Sequence, residues 1–143
     1  METLDRFIQA QEKKYQIALK EICSGLKRSD WMWYIFPQID GLVEYPSFNT
    51  RLYSIKSKDE AIDYLGNPIL RERLIEITQK VLNLKTDNIQ LVFGKTDSKK
   101  LKSCMTLFAY VAGNKIDLFD RVLNNYYKGK RDQKTLKLIM SNL

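Results

Sequence analysis

Histidine is absent from this chain of 143 residues, and no other feature of its composition excludes as much chemistry. Without an imidazole there is no Ser-His or Cys-His relay, and the commonest transition-metal ligand is missing. Proton transfer would fall to Asp, Glu, Lys, Tyr or Cys. Cysteine is scarce: Cys23 and Cys104 lie far apart and form no C-x-x-C pattern. Neither a zinc site nor a disulfide framework is suggested, so both read as small buried apolar residues, and no metal or cofactor is implied. No stretch approaches the roughly 20 apolar residues of a membrane span. The start, Met1-Glu2-Thr3-Leu4-Asp5, lacks the basic-then-apolar layout of a secretory signal. The expectation is a soluble cytoplasmic protein whose single domain, residues 1–143, builds a core without staples.

Charge is plentiful and unbalanced. Lys and Arg number 24 against 17 Asp and Glu, a formal net charge of +7. Lysines that neutralise phosphates supply non-specific affinity for nucleic acid through counterion release. Here they are scattered over every segment, with abundant Asn and Ile beside them, so diffuse composition is preferred to a designed basic groove.

With six glycines and three prolines, the chain is punctuated clearly. Leu4, Phe7, Ile8, Ala18, Leu19 and Ile22, with Gln11 and Tyr15 on the same stripe, recur at three- and four-residue spacing, which predicts a helix from Leu4 to Ser24. Thr3 is its expected N-cap and Gly25 its stop. The apolar run Trp31 to Phe36, ended by Pro37, is too short to assign by period and reads as a fully buried strand or a buried helical turn. Gln38 to Arg51 reads as a long loop. Ser57 and Glu60 form a capping box for a short helix from Lys58 to about Leu65, and Asn67-Pro68 opens the next. Thr86-Asp87 caps a short apolar turn through Phe93, ended by Gly94. Thr96-Asp97 caps a central helix from about Lys99 to Ala112. Helices from about Ile116 to Lys128 and after Asp132 complete a mainly α, single compact domain of about six helices, with at most a small strand element. Phe7, Trp33, Leu74, Met105 and Phe108 are expected deep in its core.

The series Arg6-Phe7, Ala10-Gln11, Tyr15, Lys27-Arg28-Ser29, Trp31-Met32-Trp33, Phe36-Pro37-Gln38, Gly41-Leu42, Tyr53, Glu60-Ala61, Tyr64-Leu65, Arg73-Leu74, Phe93-Gly94, Asp97, Lys100 and Thr106-Leu107-Phe108 resembles the bacterial domain-of-unknown-function family 1810 over nearly the whole chain. Two departures stand out. Asp30 replaces a histidine usual before the first tryptophan, and Gly41-Leu42-Val43-Glu44-Tyr45-Pro46-Ser47 replaces Gly-Leu-Gly-x-Ser. The family in turn distantly resembles the YbiA-like, or NADAR, proteins, which handle ADP-ribose-type and riboflavin-pathway N-glycosides. Their helix Glu-His-Tyr-x-Gln-Ala-Gln-Lys is similar to Asp5-Arg6-Phe7-Ile8-Gln9-Ala10-Gln11-Glu12, and a later helix start is similar to Ile55-x-Ser57-x-x-Glu60-Ala61. The resemblance implies a YbiA-like fold and puts the family glutamate at Asp5.

The candidate site places Gln11 and Tyr15 on one helix face, Trp31 and Trp33 beside them, and Asp30, Gln38 and Asp97 at a pocket rim. Aromatic faces stack on a base, amides read its edge or a ribose hydroxyl, and Lys27, Arg28 or Lys100 meets phosphate. N-glycoside cleavage needs one carboxylate to stabilise positive charge on ribose or to activate water, for which Asp5, Asp30 and Asp97 are the candidates. Plainer roles stand beside these. The tryptophans suit a core, Gln11 an internal network, Asp97 an N-cap and Asp5 a first-turn acid, and Lys99, Lys100 and Lys102 a solvated face. Two function classes follow: a protein that binds or hydrolyses a nucleotide-like N-glycoside of the ADP-ribose type, or a basic module that binds nucleic acid or a protein partner.

Overall fold

The helix that opens the fold, α1 (Asp5–Ser24), buries Phe7, Gln11, Tyr15, Ala18 and Ile22 along one stripe. Thr3 Oγ1 accepts the Asp5 N–H at 3.3 Å, so threonine performs the expected capping while Leu4 already has helical torsions. Gly25, at φ +84°, ends the helix, and the Leu26 N–H returns to the Glu21 carbonyl at 3.1 Å. A left-handed residue at this position costs glycine nothing. The computed structural model describes residues 3–141; Met1 and Glu2, part of the N-terminal reading above, and Asn142 and Leu143 lie outside it.

Seven further helices follow among the described residues: α2 (Met32–Ile35), α3 (Phe48–Tyr53), α4 (Lys58–Gly66), α5 (Pro68–Leu82), α6 (Ile89–Ala112), α7 (Leu118–Tyr127) and α8 (Gln133–Met140). Helix α6 runs through the middle and packs on α4, α7 and α8, while α1 packs on α5 and α2. One contiguous apolar core results. Its spine is a series of ring contacts, Phe7 to Tyr64 at 5.3 Å, Tyr64 to Phe108 at 5.2 Å and Phe108 to Phe119 at 6.0 Å. Edge-on and tilted pairs of this kind add to the burial of each ring. No helix among the described residues is long and apolar enough to cross a membrane.

The count of eight corrects the expected six for two local reasons. The Trp31–Phe36 run is a helical turn, α2, rather than a strand. About 100° per residue in a helix separates residues two apart on nearly opposite sides. Trp31 is accordingly fully buried while Trp33 is only half-buried, which corrects its expected place in the deep core. The end of the expected loop is α3, capped by Ser47, whose hydroxyl accepts the Thr50 N–H at 3.2 Å. What remains of strand character is one parallel bridge, Ile39 to Ile55. There the Asp40 N–H donates to the Ile55 carbonyl and the Ile55 N–H to the Gln38 carbonyl, both at 2.8 Å.

Caps held at α4, α5 and α8 and moved at α6. Ser57 accepts the Glu60 N–H at 3.1 Å, Asn67 the Ile69 and Leu70 N–H groups at 3.0 and 3.1 Å, and Asp132 the Thr135 N–H at 3.1 Å. Asn88, not Thr86-Asp87, caps α6 by accepting the Gln90 N–H at 3.1 Å. Thr96-Asp97 caps no helix start, because Gly94, at φ 82° and ψ 170°, ends the first segment of α6 as expected and the second segment begins directly after it. Of the two cysteines, Cys104 is buried as expected but Cys23 is exposed.

Candidate functional site

The aromatic signature is fastened at its start by Glu21, on the last turn of α1. Its carboxylate accepts the Arg28 N–H at 2.8 Å, the Ser29 N–H at 3.0 Å, the Trp31 indole N–H at 2.9 Å and the Ser29 hydroxyl. Burial would raise the Glu21 carboxyl, but these donors outweigh it and hold it at about 2. A carboxylate that receives several N–H bonds favours its charged form in this way. The anchor turns Trp31 into the core, against Phe36 and Phe93, and leaves Trp33 to face outward.

Trp33 lines a pocket of about 120 Å³ together with Gln38, Asp40, Leu42, Tyr53 and Lys100. An apolar cavity of about 150 Å³ takes a benzene ring, so this one is sized for a single ring. Ile39 and Pro46 add apolar wall, while Thr50 and Ser54 add hydroxyls. The bridge between Ile39 and Ile55 fixes two walls of the pocket through the backbone. Val43, which also lines the pocket, is exposed, as are Tyr45 and Phe48, the first residue of α3.

A chain of charges leads into the pocket. Asp97 takes Lys27 at 2.9 Å and Lys100 at 3.8 Å. Lys27 is almost fully buried, donates to the Ser29 carbonyl at 2.6 Å and sits 4.8 Å from the Trp31 ring centre. Lys100 is more open and stands 5.9 Å from the Trp33 ring centre. One carboxylate thus serves two ammonium groups, and the surplus positive charge falls on the lysine that lines the pocket. The kink at Gly94 sets this arrangement by swinging the Asp97 and Lys100 turn of α6.

Of the candidate residues, Trp33, Gln38 and Lys100 line this pocket, and Lys27 and Asp97 are tied to it through the ion-pair chain. Trp31 lies behind, in the core. Arg28 and Asp30 are exposed on the connection before α2 and line no cavity described here, and Asp5 is exposed at the far end of α1. Gln11 and Tyr15 are drawn inward. The Gln11 amide donates to the Tyr34 carbonyl at 2.8 Å and to the Tyr64 hydroxyl at 3.1 Å, and accepts from Arg73 at 3.3 Å. The Tyr15 hydroxyl donates to Glu76 at 2.5 Å, and its ionisation is pushed far up, first by burial and then by that carboxylate. Both side chains have protein partners and do not reach the pocket.

Sequence reasoning passed over Asp40, the carboxylate among the pocket residues, which accepts from the Ser54 hydroxyl at 2.9 Å and lies 4.0 Å from Lys56. The signal was its place directly after Phe36-Pro37-Gln38-Ile39, on the loop side of the signature. No group of His, Cys, Asp and Glu that could hold a metal ion forms among the described residues.

A mainly helical fold with a ring-sized pocket built on its Trp-Met-Trp and Phe-Pro-Gln segment defines the class of the molecule. The family model described as protein of unknown function DUF1810 matches residues 1–139, and the chain belongs to that family. It is similar to the conserved hypothetical protein Rv1873 from Mycobacterium tuberculosis, whose crystal structure shares 38% identity with it. The match covers 96% of each chain, with a TM-score of 0.90. Comparison with curated proteins gives no match.

Proposed function

We propose that the protein binds a nucleotide-like small molecule, one ring of which enters the pocket beside Trp33. The observation that carries this reading is the convergence of an aromatic wall, hydrogen-bonding groups and a cation on a volume of about 120 Å³. Trp33 and Tyr53 offer faces or edges to a planar ring, Gln38, Thr50 and Ser54 offer donors and acceptors to its rim, and Lys100 meets an anionic or carbonyl oxygen. Small-molecule sites have this makeup, mostly apolar with a few placed polar groups. The distant resemblance to NADAR proteins agrees with this ligand class. Asp40 is the lining carboxylate that could stand beside a glycosidic bond and stabilise positive charge on ribose. Asp5, Asp30 and Asp97 do not line the pocket and are less well placed for that role.

The test is a melting-temperature panel of adenosine, AMP and ADP-ribose against glucose and free amino acids, with tryptophan emission followed in parallel. A ligand at a hundredfold excess over its dissociation constant stabilises by about 2.7 kcal/mol, which is readily seen. Nucleosides or nucleotides should raise the melting temperature and change the emission of the half-buried Trp33, and Trp33→Ala should remove both effects. No response to any nucleotide, or a response that survives Trp33→Ala, would reject the reading.

A further inference from the structure

Tyr53 is a wall with two sides. One side belongs to the ring-sized pocket; the other lines a cleft of about 540 Å³ with Gln9, Lys13, Lys14, Tyr34 and Leu52. Its ring is held between its neighbours, edge-on to Tyr34 at 5.1 Å and tilted against Phe7 at 6.2 Å. Pocket and cleft therefore share Tyr53 as a lining residue.

The cleft is positively charged, and its charge is unused. Arg6 lies on its wall, but all of its donors are committed. Nε goes to the Leu52 carbonyl at 2.7 Å, Nη1 to the Thr3 carbonyl at 2.8 Å and Glu60 at 3.1 Å, and Nη2 to the Ser54 carbonyl at 2.8 Å and Glu60 at 2.7 Å. Lys13 and Lys14, two turns further along α1, make no ion pair or hydrogen bond among the described residues. The nearby acid on their own helix, Glu12, is paired with Arg73 at 3.3 Å. Lys13 and Lys14 thus line a cleft whose wall carries no carboxylate.

Resting on the nucleotide reading of the pocket, we infer that pocket and cleft are two ends of one site for a ligand of dinucleotide length: a ring lies beside Trp33, the chain crosses the edge of Tyr53, and phosphate oxygens meet Lys13 and Lys14. A cavity sized for one ring cannot enclose a nucleotide diphosphate, whereas the pair of hollows offers room in the range that ligand sites occupy. Ammonium groups act on phosphate as point charges without demanding a fixed approach, which suits an exposed helix face.

Calorimetric titration of adenosine and of ADP-ribose tests this, on the wild type and on the double variant Lys13→Ala/Lys14→Ala. Alanine is the best helix former, so α1 is kept. ADP-ribose should bind the wild type about tenfold or more tightly than adenosine, and the double variant should lose about tenfold to a hundredfold toward ADP-ribose, as loss of two charge-assisted contacts implies, while its adenosine affinity stays unchanged. Adenosine binding with no gain from the diphosphate, or with no loss in the double variant, overturns the extended site and leaves the pocket reading standing. Absence of binding by either ligand to the wild type overturns both. A single-stranded oligonucleotide that bound more tightly than ADP-ribose would overturn the small ligand in favour of a nucleic-acid groove.

Discussion

The indole N–H of Trp31 donates to the Glu21 carboxylate at 2.9 Å, which ties the last turn of α1 to the segment that builds the pocket. Glu21→Ala leaves the indole and two backbone N–H groups without that acceptor; of these bonds only the indole's is buried, and a hydrogen bond to a charged group contributes about 1.5–3 kcal/mol. A loss of about 2–3 kcal/mol is expected, read as a lower urea midpoint with an unchanged slope. The effect depends on pH. Because the folded carboxyl sits at about 2 against an ordinary 4.5, the unfolded chain takes up its proton first as acid is added. The stabilisation is complete above about 4.5 and is lost as pH falls toward 2. Glu21→Gln should flatten the stability profile in that window, and an unaltered slope there would contradict the assignment.

Gln11 is predicted to act on stability. Gln11→Leu keeps most of the volume but strips partners from the Tyr34 carbonyl and the Tyr64 hydroxyl inside the core. An expected cost of about 2–3 kcal/mol follows from leaving such groups unpaired. For a chain of this size it lowers the melting temperature by roughly 5–10 °C. Affinity of the surviving folded fraction for any pocket ligand should not change.

The two tryptophans should separate cleanly. Trp31 is fully buried, so Trp31→Ala opens a large cavity at about 3–5 kcal/mol. Trp33→Ala removes a half-buried side chain for about 1–2 kcal/mol and takes the pocket wall with it. Chemical denaturation of the pair, with ligand titration of each, distinguishes a core residue from a site residue.

Gly94 has a backbone conformation reserved for glycine, and a Cβ there would meet nothing within 4 Å. Gly94→Ala is therefore expected to cost about 1–3 kcal/mol through torsional strain alone. Since the kink places the turn bearing Asp97 and Lys100, the variant should also shift the emission of Trp33. Loss of stability without such a shift would mean that the kink and the pocket are independent.

Helices α4, α5 and α8 were legible in the sequence because their starts depend on a side chain binding its own backbone. Ser57, Asn67 and Asp132 act within three residues of themselves, so their role is local and readable. The break at Gly94 was legible; that helix resumes directly after it, before Thr96-Asp97, was not. The site divides in the same way. Trp33, Gln38 and Lys100 carried compositional signals of a pocket and line one. Gln11 and Tyr15 carried similar signals, yet their partners Tyr64, Arg73 and Glu76 lie more than fifty residues away in sequence. Whether a polar group on an apolar stripe faces a ligand or another helix is decided by packing between helices, and no pattern within one helix contains it. Asp40 was missed for the converse reason: it belongs to no periodic element, and the bridge to Ile55 alone brings it to the pocket.

That bridge closes a loop. The chain leaves the Ile39–Ile55 pairing at Gly41 and returns to it after Tyr53, so the ends of the excursion are joined whatever its length. Doubling a loop already closed costs only about 0.6 kcal/mol. The exposed step from Glu44 to Tyr45 is thus a splice point: foreign sequence grafted there would travel as a passenger, while Gln38, Asp40 and Ser54 keep their places on a floor that the insertion does not touch.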